Sequence, residues 1–137
     1  EVLRKLRQVH KDAGGGAVIA YLRKCDPYLF EEIVLSAFER GGFFVIRNLS
    51  YSGDGGLDGR ILYQGSIYYV QAKRYVDYIN RKHVLSFVAT LDMKDAKGFF
   101  VHTAKTGQGS REALDRSRVK FISGSGLVSL ITGDLLK

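Results

Sequence analysis

The sequence predicts an α/β fold in which helices flank a mixed central sheet. Three observations predict it. The apolar periodicities run helix, three strands, helix, strand, helix, strand, helix along the 137 residues. The second and third strands form a hairpin, so the fold begins as an antiparallel meander. Gly98–His102 (GFFVH) reads as a continuous apolar run, the mark of a strand buried on both faces. A meander followed by βα units makes a mixed sheet with helices on it.

Each element has a local reason. Val2–Lys11 is a charged helical segment, and Gly14-Gly15-Gly16 separates it from the rest like a linker. Residues 1–16 are therefore read as an N-terminal extension, and 17–137 as the main domain. Ala17–Lys24 is helical. Asp26 is a natural N-cap with Pro27 at the first helical position, and the helix runs to about Arg40 before Gly41-Gly42 stops it. Its apolar stripe is Phe30, Ile33, Val34, Ala37 and Phe38. Phe43–Ile46 is a strand, and Leu57–Tyr63 with Ile67–Lys73 forms the hairpin around Gly65-Ser66. Arg81–Met93 is a helix with Val84, Phe87, Val88 and Leu91 on one face. Arg111–Arg116 reads as helical, Val119–Ile122 as a short strand and Leu127–Leu136 as a closing helix.

Composition narrows the function. At 45% apolar residues the chain can fill a single core. No apolar run approaches the roughly 18–20 residues of a membrane-spanning helix. The charged N-terminus lacks a secretory h-region. Cys25 is the one cysteine, which excludes a disulfide scaffold and suits a reducing cytoplasm. A net charge of +7 favours a polyanionic partner, nucleic acid before an acidic membrane.

The hairpin carries the chemistry. A turn at Gly65-Ser66 pairs Leu62 with Tyr69, Arg60 with Gln71 and Asp58 with Lys73. Paired residues share a face, and so do residues two apart, so Asp58, Gln71 and Lys73 converge. A turn at Gln64-Gly65 would shift the pairing by two and keep that face. On the Pro27–Arg40 helix, Glu32 lies opposite the apolar stripe and is solvated, whereas Glu31 lies at its margin and leans toward Asp58. Two carboxylates, an amide oxygen and a lysine suit metal-assisted phosphodiester chemistry. Asp58 and the Gln71 oxygen offer hard ligands for Mg²⁺, with Mn²⁺ as a substitute. Lys73 can orient or deprotonate a water, or neutralise charge on the phosphate. Spacing alone leaves simpler readings open: a turn at Gly53–Gly56, a cross-strand Asp58–Lys73 ion pair, and Glu31 as a charge complementing the helix dipole.

Phe30-Glu31 on a helix, Gly42-Phe43 at its end, S-G-D-G-G-L-D-G at Ser52–Gly59 and V-Q-A-K-R-Y at Val70–Tyr75 together resemble the Mrr-type restriction endonuclease catalytic domain, a branch of the PD-(D/E)xK nucleases. The resemblance covers Tyr21 to the C-terminus. It implies a restriction-endonuclease-like αβββαβ core and divalent-metal-dependent cleavage of double-stranded DNA, in several relatives methylated foreign DNA. It also implies catalytic roles for Glu31, Asp58, Gln71 and Lys73, with Glu31, Asp58 and Gln71 at the metal. The run His102–Arg111 is more glycine-rich than the family's threonine-rich turn, so no sequence preference carries over.

Other motifs do not compete. Lys97–Val101 lacks the second glycine and final aromatic of the RNA-recognition signature. Ser52–Gly59 has no following G-K-S/T, and His10, His83 and His102 have no zinc spacing. His83 reads as a surface or phosphate-contacting residue. Basic residues follow the hairpin, and Arg74, Arg81 and Lys82 are the expected phosphate-contacting rim. Two function classes result: a Mg²⁺-dependent endonuclease, expected to pair as a homodimer for double-strand cutting, and a non-cleaving DNA-binding module on the same fold.

Overall fold

The computed structural model describes residues 1–47, 57–105 and 118–133. In chain order these form α1 (Val2–Ala13), α2 (Gly15–Lys24), α3 (Pro27–Arg40), β1 (Phe44–Arg47), β2 (Gly59–Tyr63) and β3 (Ser66–Lys73). Then follow α4 (Arg81–Lys94), β4 (Lys97–His102), β5 (Val119–Ile122) and α5 (Gly124–Thr132). The expected Arg111–Arg116 helix and the Ser52–Gly56 turn lie outside the described residues.

The sheet has the order β1-β2-β3-β4-β5, antiparallel from β1 to β3 and parallel from β3 to β5. This is the mixed sheet that the element order predicted. One face packs on α1, α2, α3 and α5. There Phe30, Ile33, Val34, Ala37 and Phe38 meet Tyr68, Val70, Ala72, Phe99 and Val101. Leu3 and Leu6 of α1 are buried in the same cluster, so α1 is packed against the domain. The other face is covered by α4, whose Val84, Phe87 and Leu91 pack on Phe100 and Val119. As expected, β4 is buried from Gly98 to His102.

α3 begins as the sequence indicated. The Asp26 carboxylate accepts from the amides of Tyr28 (2.8 Å) and Leu29 (3.3 Å), satisfying donors that the first turn leaves unpaired. α5 ends on a longer-range cap, because the Arg40 guanidinium donates to the carbonyls of Leu130 and Ile131.

The hairpin turn differs from expectation. Tyr63 pairs with Ser66, so Gln64-Gly65 forms the turn in place of Gly65-Ser66. Gln64 and Gly65 have φ of 50° and 78°. Two positive φ values make the turn whose twist matches the flanking strands.

The α4-free part of the sheet is partly bare. Phe44, Leu62 and Ile67 are successive cross-strand partners, and all are exposed. β1 pairs only with β2 and forms one edge of the sheet.

Gly98 marks the tightest approach between α4 and the sheet. A Cβ there would lie 2.5 Å from Phe87 Cζ and 2.9 Å from the Tyr69 carbonyl oxygen. Gly98→Ala is expected to destabilise the fold by about 1–3 kcal/mol through overpacking. Urea unfolding monitored by circular dichroism measures this, and an unchanged midpoint would refute the packing role.

Candidate metal-dependent nuclease site

The site forms where the regular ladder stops. β2 starts at Gly59, opposite Val70, so Gln71, Ala72 and Lys73 have no β2 residue beside them. A backbone amide left in that position must find another acceptor. The Ala72 amide donates to Asp58 Oδ2 at 2.6 Å, and the Asp58 amide donates to the Val70 carbonyl at 2.9 Å. The carboxylate therefore substitutes for the missing strand.

Its neighbours fix its position. Leu57 is buried in the cluster under α4. Gly59 lets β1 and α3 close in, since a Cβ there would lie 2.8 Å from the Ile46 carbonyl oxygen and 3.2 Å from Leu35 Cδ2. Asp58 is thus held between a hydrophobic anchor and a residue without a side chain. The expected ladder pairing of Asp58 with Lys73 is not what joins them. Asp58 precedes β2, and its amide and carboxylate reach the end of β3 directly. Gln71 and Lys73 flank the Ala72 amide that Asp58 holds.

Glu31, in the second turn of α3, hydrogen-bonds the Asp58 carboxyl. Burial, with this contact, pushes the Asp58 carboxyl up to about 8, although the Ala72 amide and the Lys73 ammonium act against the rise. Two carboxyls that share a hydrogen bond need a proton between them, or a cation in its place. Glu32 faces solvent, as expected, in an ion pair with Arg47 (3.0 Å), which also meets Glu39 (3.2 Å).

Gln71 is 4% exposed, and its Oε1 is buried with no hydrogen-bond partner among the described residues. A buried amide oxygen without a donor is costly unless something electropositive sits against it. An orphaned amide oxygen on the residue preceding the amide that Asp58 holds fits a hard divalent cation. Asp58, Gln71 and Glu31 are the residues that would hold it.

The expected basic rim divides. Arg74 is half-buried, and its Nη1 donates to the Arg23 carbonyl (2.7 Å), while Arg23 Nε donates to the Thr103 carbonyl (2.9 Å). These contacts tie the end of α2 to the loops after β3 and β4. Arg81 and Lys82 are exposed at the start of α4. Lys24 is exposed on the α2 end and adds a charge to this side, which sequence reasoning missed. The long-range Arg23–Thr103 and Arg74–Arg23 contacts tie the α2 end there, and no local pattern encodes them. Arg118 is engaged by Asp92 and Asp95, away from any free role.

Residues 22–131 match the Mrr_cat restriction endonuclease family. The chain is 31% identical over 140 residues to the type IV methyl-directed restriction enzyme EcoKMrr of Escherichia coli K12, covering 96% of this chain. It spans 45% of that relative's length. Among solved structures, it resembles the MspJI restriction endonuclease in complex with a 27-mer oligonucleotide, with a TM-score of 0.48 and 22% identity over 94% of this chain and 30% of that one. Architecture and family match together define a restriction-endonuclease-like domain. The chain belongs to the Mrr-type restriction endonuclease catalytic family.

The raised Asp58 carboxyl has a sign that can be measured. An unfolded Asp titrates near pH ~4. Between about 4 and 8 the folded chain therefore holds a proton that the unfolded chain releases. This contribution to stability is complete below the unfolded value and is lost as pH rises through the folded one. Without metal, the melting temperature is expected to fall from pH 5 to pH 8. Asp58→Asn should flatten that fall and be more stable than the native chain at pH 8. Added Mn²⁺ should raise the native melting temperature at pH 8 and leave that of Asp58→Asn unchanged. A native melting temperature that is flat or rises over this range excludes the shared-proton arrangement.

Proposed function

We propose that this chain is a divalent-metal-dependent DNA endonuclease domain, acting in restriction of foreign or modified DNA. The buried Gln71 oxygen, partnerless among the described residues and one residue from the Ala72 amide that Asp58 holds, carries this reading. A domain that only bound DNA would gain nothing from carboxyls held together under a desolvation cost. The net charge of +7 supports a polyanionic substrate.

Asp58, Gln71 and Glu31 are the residues that would hold Mg²⁺, for which Mn²⁺ would substitute. The bound ion would polarise the phosphate and acidify a water. Asp58 stays in place because the Ala72 amide fixes one of its oxygens. Binding a cation there would require the Asp58 carboxyl to give up its proton, so metal occupancy would rise with pH. Lys73 neutralises charge that builds on the phosphate oxygens. Exposed Arg81 and Lys82 contact flanking phosphates and set register without reading sequence. The related methyl-directed enzyme makes methylated duplex DNA the first substrate to try. One site per chain cuts one strand at a time, so double-strand cleavage is assigned to two copies.

Supercoiled plasmid, methylated and unmethylated, is the assay. Nicking or linearisation is expected with Mg²⁺ or Mn²⁺ and not with EDTA. Asp58→Ala and Lys73→Ala should each slow it by at least about a hundredfold. Binding without cutting on both plasmids, equal in all three proteins, would make this a DNA-binding module. Linearisation in a single turnover by a defined monomer would count against the dimer.

A further inference from the structure

We propose that His83, fixed in one tautomer by Tyr75, is a neutral hydrogen-bond donor to a backbone phosphate of the bound DNA, next to the phosphate that Lys73 faces. This rests on the nuclease reading and adds a positioning residue to it.

The geometry begins at the loop after β3. Thr103, 1% exposed, accepts from the Tyr75 amide through its hydroxyl and donates the same hydroxyl to the Tyr75 carbonyl, both at 2.7 Å. Tyr75 is thereby locked to the end of β4. Its ring stacks on His83 with centroids 5.7 Å apart and planes 23° apart, and its hydroxyl lies 2.7 Å from His83 Nδ1.

The proton positions follow from chemistry. Burial pushes the Tyr75 hydroxyl up to about 12, so it keeps its proton at neutral pH. The hydroxyl proton is assigned to the 2.7 Å contact with His83 Nδ1. The neutral imidazole then carries its own proton on Nε2. Burial lowers the His83 pKa, and the Lys73 ammonium lowers it further. The imidazole is therefore neutral beside a lysine, with one fixed N–H.

His83 also stands in the right place. It lies in the first turn of α4, beside exposed Arg81 and Lys82, where Asn80 caps the Lys82 and His83 amides and leaves the histidine side chain as the neutral donor of that turn. A stacked tyrosine fixes the ring plane, which a surface histidine in solvent would not have.

The neutral donor gives a signature that separates it from the cations. Contacts from Lys or Arg release counterions, so losing one lowers the salt dependence of binding by about one unit, whereas a neutral donor releases none. Binding of a fluorescent duplex, methylated, is measured by anisotropy in EDTA over a salt series, with plasmid cleavage in Mn²⁺ run in parallel. His83→Ala is expected to weaken binding about tenfold, the low end for a hydrogen bond to a charged group, with an unchanged salt slope. His83→Gln, which keeps a neutral donor, should recover most of that loss. Tyr75→Phe, which frees the tautomer, should weaken binding less than His83→Ala does. Arg81→Ala is the control and should reduce the slope. Melting temperatures of the His83 variants should match the native one.

Native affinity in His83→Ala overturns the proposal while leaving the nuclease reading intact. So does a loss that Gln does not recover and that tracks a fall in melting temperature, since the role is then structural. A slope reduced by about one unit in His83→Ala overturns the neutral donor in favour of a charged one. A native protein that neither binds nor cuts the duplex removes both readings together.

Discussion

The hydrogen bond from the Ala72 amide to Asp58 Oδ2 organises this molecule's functional end. β3 outruns β2 by three residues, and an amide in the middle of a sheet cannot stay unpaired at low cost. The carboxylate that pairs with it is drawn out of solvent and against Glu31. Completing the sheet thus draws the carboxylate into burial and toward Glu31, which raise the energy of its charge, while the Ala72 amide opposes that rise.

The surrounding residues serve that contact from both sides of the sheet. Leu57 belongs to the cluster under α4, while Gly59 is pressed against Leu35 of α3 and the Ile46 carbonyl. Asp58 therefore sits at the seam between two hydrophobic clusters, which fixes its backbone from two directions. Burial of Gln71 follows from the same packing, because β3 lies between β2 and β4 with helices on both faces. The orphaned amide oxygen is what remains when a polar side chain is enclosed where none of the described residues provides a donor for it.

Much of this was legible in the chain. The Asp26 cap, the apolar stripe of α3 and the buried run of β4 follow from local chemistry, and the structure has them where the residues indicated. The convergence of Asp58, Gln71 and Lys73 was legible for a partly different reason. Alternation on β3 put Gln71 and Lys73 on one face, but Asp58 arrives through its hydrogen bonds and not through ladder register. The turn moved by one residue because Gln64 accepts a positive φ that sequence alone does not reveal. The tether from Arg74 to Arg23 and the lock between Tyr75 and Thr103 join residues 51 and 28 apart in the chain. Such contacts depend on which helix end meets which strand end, and periodicity carries no information about that.

The short β1 edge has a practical meaning. Phe44, Leu62 and Ile67 form an exposed apolar band at the hairpin end of the ladder, whereas Arg47, bound to Glu32 and Glu39, closes the end nearer Asp58. An open edge with an apolar band invites sticking between molecules, and charge is the usual guard against it. Here the guard stands at one end only. The solubility of the purified domain can therefore be engineered at Phe44 and Ile67 without altering any group at the reactive end.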